Sequence, residues 1–238
     1  DLDAPRDPGF VMTETAKQIV ADMTYAQMTQ SIVINHGASG VGKTTALRYF
    51  QRNNNNVWMV TASPTRSTLT ECLYELAMEL GMENAPRQRG SLARALRRRL
   101  LSTKGLIVVD EADHLGRDVL EELRILVEEV EVGMVLVGNS RVYTQLTGGH
   151  RSEDFARLYS RVAKKRALTK AKKADVMAVA DAWNVTGNAE RDLLLQISER
   201  PGALRLVSKV LKLAVMYSGG EPLNEQVLRV AFNELEGE

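Results

Sequence analysis

The stretch Gly37-Ala38-Ser39-Gly40-Val41-Gly42-Lys43-Thr44 decides how this chain folds. It fits the pattern G-x-x-x-x-G-K-[ST], in which glycines allow a tight turn that aims successive backbone N–H groups at phosphate oxygens. Residues 31–35 before it predict a short buried strand, and residues 45–50 after it predict a helix. The helix N-terminus adds partial positive charge at the same point. The stretch therefore predicts a phosphate-binding loop inside an α/β domain, because a chance glycine-rich turn would not have all these parts in register.

The loop also carries two side chains with specific expected roles. We expect Lys43 to reach the β- and γ-phosphates of a nucleotide and the Thr44 hydroxyl to ligate Mg²⁺. The predicted cofactor-binding residues are Gly37, Ala38, Ser39, Gly40, Val41, Gly42, Lys43, Thr44, Thr45 and Asp110.

A pair of carboxylates follows an apolar run further along the chain. Residues 106–109 are Leu, Ile, Val and Val, which is typical of a strand buried in a parallel sheet, and Asp110 and Glu111 come next. The carboxyl end of such a strand meets the crevice where ligands bind in open α/β sheets. We expect Asp110 to hold Mg²⁺ and Glu111 to orient and polarise the attacking water. A solvated acidic turn is the alternative.

Residues 110–113 also spell Asp-Glu-Ala-Asp, the motif that names a class of helicases. Those helicases need a second nucleotide-gripping domain of similar size. Residues 172–238 are too short and too helical to form one, so the chain is not assigned to that class.

Two further polar residues are candidates for contact with the nucleotide. Asn139 follows a strand predicted at residues 134–138 and could reach the γ-phosphate or the lytic water, but asparagine is also a common turn residue. Arg205 comes near the start of a predicted helix, where its charge opposes the helix dipole. An anionic partner such as a nucleotide phosphate would compensate for this, and surface solvation is the alternative.

The order of predicted elements divides the chain into an α/β part and a helical part. The predicted strands are residues 31–35, 57–62, 106–110, 134–138 and 166–168. One helix in the α/β part is predicted to start at Ser91, as its N-cap, and to run through Leu101. The helices predicted after the last strand are about 172–183, 188–199, 202–217 and 224–235. We expect a linker at residues 1–12, an α/β domain with a five-stranded parallel sheet at 13–170, and a small all-helical lid domain at 171–238.

The loop, the strand-borne Asp110-Glu111 pair, Asn139 and Arg205 occur in the order in which they occur in AAA+ ATPases, and the chain resembles that family. The resemblance implies ATP and Mg²⁺ as ligands, with Asn139 as the first sensor and Arg205 as the second. Catalytic roles are thereby implied for Glu111, Asn139 and Arg205.

AAA+ modules usually complete each active site with an arginine from the neighbouring subunit. Ser160-Arg161-Val162 is similar to the usual context of that residue, and Arg157 is the alternative. The resemblance therefore implies a catalytic role for Arg161 and an oligomer.

Basic residues are concentrated in two stretches, although the net charge is only +1. Residues 85–105 contain seven basic residues and residues 155–174 contain eight, neither with an acid, whereas residues 110–131 contain nine acidic residues and two basic ones. Such basic stretches suit phosphate backbones, and aromatic residues (5% of the chain) are not interleaved with them, so we expect sequence-tolerant binding of duplex DNA. A solvated helix face or a subunit contact with the acidic stretch is the alternative. The candidate DNA contacts are Arg66, Arg87, Arg89, Arg94, Arg97 and Arg98.

Composition narrows the class of protein further. The single cysteine, Cys72, excludes a disulfide framework within the chain and fits a reducing compartment. No run of 18 apolar residues exists and no signal peptide is visible, so we expect neither a transmembrane helix nor a membrane partner. The first nine residues contain Asp, Pro and Gly, which predicts a tether that follows another domain.

Several stretches, most of them outside the nucleotide motifs, are similar to the transposition B proteins of Mu-type phages. These stretches are residues 54–59, 71–73, 79–82, 94–100, 110–116 and 172–176. The resemblance runs from about Val11 to the last helix. It implies an ATP-dependent, largely non-specific DNA-binding protein that forms helical filaments on DNA, selects the target and stimulates a transposase in the host cytoplasm. It also implies a weak, DNA-stimulated ATPase and an N-terminal helix-turn-helix domain, for which the residues before Thr13 have no room.

Two other functions remain as alternatives. A helicase loader or replication initiator of the same AAA+ branch would prefer single-stranded DNA and bind a helicase ring. A non-enzymatic adaptor would bind nucleotide only to fold, which the intact Asp110-Glu111 pair argues against.

Overall fold

The computed structural model describes residues 7–142 and 161–236. The strands are β1 (Ile32–Gly37), β2 (Val57–Thr61), β3 (Leu106–Asp110), β4 (Gly133–Gly138) and β5 (Val162–Leu168). The first helices are α1 (Glu14–Thr29), α2 (Lys43–Asn53), α3 (Leu69–Glu79), α4 (Arg89–Leu100) and α5 (Arg117–Val130). The helices after β5 are α6 (Lys173–Ala182), α7 (Asn188–Ser198), α8 (Ala203–Ser218) and α9 (Glu225–Glu236).

The five strands form one sheet in the order β2-β3-β4-β1-β5. β1 pairs with β4, β4 with β3 and β3 with β2, all in parallel. The register places Asp110 opposite Thr61 and Gly138 opposite His36. The carboxyl ends of β1, β3 and β4 therefore meet at one edge of the sheet, as the sequence predicted for a parallel α/β domain.

Burial explains why the central strands formed where the apolar runs lie. Every residue of β3 and of β4 is buried, so both faces of these strands are covered. Side chains on one face, including Ile34, Val60 and Val109, pack with the apolar stripes of α3, α4 and α5. Because a fully buried parallel strand needs a continuous apolar run, the sequence located β3 without error.

The start of α4 differs from the prediction. The helix begins at Arg89 with Gln88 as its N-cap, and Ser91 lies inside its first turn. The Leu92 N–H donates to the Gln88 carbonyl at 2.8 Å, which adds a helical hydrogen bond before the predicted start. The Ser91 hydroxyl instead accepts a hydrogen bond from Arg94 (3.2 Å), so the prediction of Ser91 as the N-cap was wrong.

β5 is longer than the three residues predicted for it. The prediction was too short because the strand contains basic residues, which are not typical of a buried strand. Arg166 and Lys164 of β5 both form ion pairs with Asp22 of α1, whose side chain is fully buried. Asn35 of β1 also donates to Asp22 at 3.0 Å in the amide orientation that its neighbours require. The strand is thus held by a buried carboxylate that hydrophobic patterning cannot reveal.

By the density of backbone contacts the chain divides into two compact units. The sheet unit consists of Ile19–Gly37 and the described residues of Ala46–Ala167. The helical unit consists of Ala38–Thr45 and the described residues of Asp1–Gln18 and Leu168–Glu238, so the phosphate-binding loop groups with the helices after β5. The boundary we predicted at residue 170 stays a prediction.

The helical unit has its own apolar core, built by residues of α6, α7, α8 and α9 such as Val176, Leu194, Val207 and Leu228. Its N-terminal segment is tied down by the buried Asp175. That carboxylate accepts from the Thr15 backbone N–H (2.8 Å), the Thr15 hydroxyl (2.6 Å) and the Lys172 backbone N–H (3.0 Å). In the described ranges, no helix combines the length and apolar character that crossing a bilayer requires.

Candidate nucleotide-binding site

The phosphate-binding loop starts at the end of a strand and finishes inside a helix. Gly37 is the last residue of β1, and Lys43 is the first residue of α2. Gly40 (φ +81°) and Gly42 (φ +92°) both adopt the left-handed conformation that side chains disfavour. The backbone therefore turns sharply, as it does in loops whose N–H groups bind phosphate oxygens. The Ala38 N–H is already used, because it donates to the Leu168 carbonyl at 2.8 Å.

Hydrogen bonds within the loop hold its side chains. The Lys43 ammonium donates to the Ala38 carbonyl at 2.6 Å, which folds the lysine back over the loop. The Thr45 hydroxyl donates to the Gly42 carbonyl at 2.8 Å. Lys43 and Thr44 are partly buried, whereas Ser39 and Thr45 are exposed.

Within the helical unit, the loop is in direct contact with the turn that starts α8. A β-carbon placed on Gly40 would lie 2.0 Å from the Gly202 carbonyl oxygen, so no side chain fits there. The Arg205 backbone N–H donates to the Gly40 carbonyl at 3.2 Å, and the Arg205 side chain is exposed. Gly202 (φ +100°) and Ala203 (φ +44°) are both left-handed, which gives the turn the shape that brings Arg205 to the loop. No pattern in the sequence predicted this contact between residues far apart in the chain.

The two predicted carboxylates lie in the sheet unit. Asp110 ends β3 with only 2% of its surface exposed, and its side chain accepts from the Glu111 N–H at 3.0 Å. Glu111 is exposed and left-handed (φ 53°, ψ 36°), so the chain turns sharply away from the strand directly after Asp110. A short 3₁₀ turn, Ala112–His114, follows. The Thr44 hydroxyl of the helical unit and the Asp110 carboxylate of the sheet unit are each the kind of hard oxygen ligand that Mg²⁺ prefers.

Asn139 lies directly after β4 and is held by a residue that sequence analysis did not single out. Its backbone N–H and its side-chain amide both donate to the carboxylate of Asp113, at 3.1 Å and 2.7 Å. Asp113 is the last residue of the Asp-Glu-Ala-Asp stretch, and only 7% of its surface is exposed. The stretch itself was the available signal, because a third carboxylate so near a strand end is unusual unless it has a partner.

The candidate for the arginine supplied to a neighbour lies on the surface. Arg161 is exposed, and its guanidinium is 3.6 Å from Glu128 of α5. Glu128 also accepts a closer contact of 2.6 Å from Arg124. The alternative candidate, Arg157, lies outside the described residues.

The first basic stretch contains arginines in two different states. Arg97 forms ion pairs with Glu122 (3.8 Å) and Glu129 of α5, so the acidic stretch neutralises it within the same chain. Its neighbour Arg98 is exposed and has no carboxylate of the described residues at ion-pair distance. We call the exposed arginines of this helix the α4 arginine cluster: Arg89, Arg94, Arg98 and Arg99.

The two remaining candidate DNA contacts are exposed but have neighbours. Arg66 lies 3.7 Å from Glu75, and Arg87 stacks on the ring of Tyr74 with its guanidinium carbon 3.8 Å from the ring centre. In the second basic stretch, Lys164 and Arg166 bind Asp22, and the hydrogen bond that Arg166 donates to the Asp22 carboxylate raises the pKa of Arg166. These two side chains stabilise the sheet unit, which the sequence could not distinguish from a DNA-binding role.

Comparison with known families adds independent findings. The family described as "AAA domain" matches residues 26–146, which contain the phosphate-binding loop and both carboxylates. The family described as "Mu B transposition protein, C terminal" matches residues 160–235. The predicted α/β class with an AAA+ nucleotide-binding domain is confirmed.

Relatives and solved structures agree with the family matches. The chain is 55% identical, over 98% of its length and 75% of theirs, to proteins named ATP-dependent target DNA activator B from Escherichia phages Mu and D108. It is also 48% identical to the Mu-like prophage FluMu DNA transposition protein B from Haemophilus influenzae. That match covers 85% of this chain and 71% of the relative. The ORC2 protein of Aeropyrum pernix has a similar fold, with a TM-score of 0.68 at 17% identity over 98% of this chain and 70% of that one. A Walker-type ATPase of Pyrococcus abyssi is also similar, with a TM-score of 0.63 at 14% identity over 100% of this chain and 77% of that one. With more than half of its residues identical across almost all of its length, the chain belongs to the Mu B family of transposition proteins.

Proposed function

We propose that this protein is an ATP-dependent activator of target DNA, which binds duplex DNA with little sequence preference and delivers it to a transposase. The observation that carries this proposal is the 55% identity over 98% of the chain to the target DNA activator B of phage Mu. The same relatives favour this function over a helicase loader, because their names refer to target DNA and transposition.

ATP is the proposed ligand of the phosphate-binding loop. Its phosphates would accept hydrogen bonds from backbone N–H groups of the loop other than that of Ala38, which donates to the Leu168 carbonyl at 2.8 Å, and from the Lys43 ammonium, which lies folded over the loop. We propose Thr44 and Asp110 as the protein ligands of Mg²⁺. When bound, the ion supplies positive charge against the charge that develops on the transferred phosphoryl group.

Three residues are proposed to act in hydrolysis. The exposed Glu111 would orient the attacking water, Asn139 would contact the γ-phosphate or that water, and Arg205 would contact the phosphates from the α8 turn that touches Gly40. We propose that this ATPase is weak and stimulated by DNA. Such a slow reaction suits a timer that limits how long subunits remain on DNA.

Self-association is proposed to complete the site. Arg161, or Arg157 as the alternative, would reach the nucleotide of a neighbouring subunit and stabilise charge in the transition state. ATP would then hold subunits together in a helical filament on DNA, and hydrolysis would weaken that contact. An exposed arginine whose ion pair in its own chain is as long as 3.6 Å can be redirected at little cost.

DNA contacts are proposed for the surface of α4 and the neighbouring loops. The α4 arginine cluster supplies exposed cations that can neutralise phosphates and release their counterions. Arg66, Arg87 and Arg97 remain proposed contacts, although each has a neighbour within its own chain. We propose that the protein acts on DNA in the cytoplasm of the host cell, with residues 13–170 as its nucleotide-binding domain and residues 171–238 as its lid.

Electron microscopy of the protein mixed with long duplex DNA tests the proposal directly. With ATP and Mg²⁺ we expect helical filaments along the duplex, and with ADP we expect bare DNA. Adding single-stranded DNA as a competitor separates the functions, because a helicase loader would leave the duplex for the single strand. Equal binding of duplex DNA with ATP and with ADP would contradict the proposal.

A further inference from the structure

Asp113 and Asn139 form a hydrogen-bonded pair at the carboxyl edge of the sheet. The Asp113 carboxylate accepts two hydrogen bonds from one residue, the backbone N–H of Asn139 at 3.1 Å and its side-chain Nδ2 at 2.7 Å. Asp113 is 7% exposed, so water competes poorly for this carboxylate. Hydrogen bonds to an ionised acceptor are about twice as strong as those between neutral groups.

The two ends of the Asn139 amide have different partners, and these partners determine which way the amide faces. Its oxygen accepts the Arg141 backbone N–H at 2.7 Å, while its nitrogen faces the Asp113 carboxylate. The reversed amide would set oxygen against a carboxylate and N–H against N–H, so only one orientation is stable. The Nδ2 atom carries a second hydrogen, and within the described residues no acceptor takes it. Asp113 therefore leaves Asn139 with a donor, and not an acceptor, to present.

The local backbone is shaped to allow this pair. The left-handed Glu111 turns the chain into the 3₁₀ turn that carries Asp113, which is buried while Glu111 is exposed. On the other side, Gly138 leaves room for the carboxylate, because a β-carbon on Gly138 would lie 2.4 Å from Asp113 Oδ1. The same β-carbon would lie 2.4 Å from the Val142 side chain, so two neighbours exclude a side chain here. Glycine at the end of β4 is thus required for the contact between the β3 turn and Asn139.

We propose that Asp113 is a positioning residue for ATP hydrolysis, which fixes Asn139 so that its second amide N–H is aimed as a donor at a phosphate oxygen or at the attacking water. The inference rests on the role proposed above for Asn139. It assigns Asp113 no contact with the nucleotide. Its effect is therefore on the rate of the chemical step, and nucleotide binding by the loop remains as it is.

Two substitutions of Asp113 test the pair, and they differ in how much of the side chain they remove. Asp113→Ala removes both acceptor oxygens. Asp113→Asn keeps the size of the side chain but has one oxygen for two donors, so it separates the hydrogen bonds from packing. We expect each variant to lower kcat for ATP hydrolysis roughly tenfold or more, because a misplaced catalytic group costs up to about a hundredfold. The dissociation constant for ATP is expected to change by less than about twofold. A tenfold change would require the loss of a contact with the ligand, and Asp113 is proposed to make none.

The experiment is a double-mutant cycle on the full chain, measured with ATP, Mg²⁺ and a duplex DNA. The variants are Asp113→Asn, Asn139→Ala and the combination of the two, with Asp118→Asn as a matched control. Asp118 is an exposed carboxylate in the first turn of α5, outside the pair and outside the proposed site. Each variant is assayed for kcat, for ATP affinity in the absence of DNA and for its melting temperature.

If Asp113 acts through Asn139, the double variant has the kcat of Asn139→Ala alone and the control has the kcat of the unmodified protein. Multiplicative losses in the double variant would overturn the inference while leaving the role of Asn139 intact. A loss of melting temperature with unchanged kcat would overturn it as well, since that is the sign of a purely structural carboxylate. If Asn139→Ala itself leaves kcat unchanged, the proposed catalytic role of Asn139 fails first, and this inference fails with it.

Discussion

The phosphate-binding loop and the α4 arginine cluster both offer positive charge, yet they are built in different ways. In the loop, two left-handed glycines and a lysine folded onto the Ala38 carbonyl fix the positions of the donors. On α4, four exposed arginine side chains project from one helix, and long side chains of this kind keep rotamer freedom while they are exposed. The function of the loop depends on the exact positions of its donors, whereas that of the α4 arginine cluster depends on its total positive charge.

This difference predicts how each region responds to change. A site whose donors are fixed loses most of its function when one atom is misplaced, because its energy comes from several contacts that form together. A field of mobile cations loses only one counterion-releasing contact for each charge removed. Substitutions in the two regions should therefore differ in the size of their effect and in their dependence on salt.

The largest effect is expected at Lys43. Replacing Lys43 by Ala removes the one loop cation, and a hydrogen bond to a charged group contributes about 1.5–3 kcal/mol. ATP-dependent DNA binding should then be abolished in a filter-binding or anisotropy assay. Lys17→Ala, an exposed lysine paired with Glu14 at 3.3 Å, is the matched control and should bind normally. Filaments that still form with ATP in the Lys43 variant would show that the loop does not govern assembly.

A large effect on rate alone is expected at Glu111. Glu111→Gln keeps the shape of the side chain but removes the carboxylate that is proposed to polarise water, so hydrolysis should fall by roughly a hundredfold or more. DNA binding with ATP should persist and dissociation should slow, because subunits are no longer released by hydrolysis. Phosphate release and dissociation from DNA are measured side by side. Rapid dissociation in the absence of hydrolysis would contradict the proposed timer.

An intermediate effect is expected where the loop touches the α8 turn. Gly40→Ala places a β-carbon 2.0 Å from the Gly202 carbonyl oxygen at a residue with φ +81°, so the loop must shift. Strain of this kind costs about 1–3 kcal/mol, which corresponds to a loss of ATP affinity of roughly tenfold or more. Isothermal titration with ATP measures it. Gly116→Ala is the control, because a β-carbon there has nothing within 4 Å, and equal losses in both variants would refute the packing argument.

The smallest effect is expected from single substitutions of two neighbouring arginines of α4, Arg97 and Arg98. Comparing them tests whether exposed charge determines DNA binding. Arg98→Ala should weaken DNA binding several-fold and reduce the slope of log affinity against log salt by about 0.9. Arg97→Ala should change that slope less, because Glu122 and Glu129 already neutralise Arg97. Anisotropy measurements across a salt series compare the two. Equal slopes for both variants would mean that the ion pairs on α5 open when DNA binds.

Much of the sheet and of the phosphate-binding loop could be predicted because their signals are local. The apolar run of β3 and the glycine pattern of the loop each correspond to one physical requirement, a strand covered on both faces and a backbone with left-handed residues. The family could be predicted as well, since residues shared with relatives outside the motifs are visible without knowledge of the structure. The boundaries of these elements needed no knowledge of distant residues.

What the sequence did not reveal depends on contacts between residues far apart in the chain. Lys164 and Arg166 looked like a surface for nucleic acid, but Asp22, more than a hundred positions away, binds both. Arg97 looked equivalent to Arg98 until α5 placed Glu129 beside it. Asp113 looked like part of a helicase motif, and its partner Asn139 lies 26 positions further on. In each case charge was visible in the sequence, whereas the partner of that charge was not.

β5 stands at one end of the strand order and carries a basic pair turned toward the buried Asp22. A strand at the end of a sheet is a template onto which the sheet of another molecule can add, and charged residues within the strand discourage that addition. A protein that is proposed to crowd along DNA at high local concentration is exposed to this form of aggregation. The basic residues of β5 therefore favour assembly through folded surfaces over the fusion of sheets, and weakening their hold on Asp22 would be expected to yield insoluble protein.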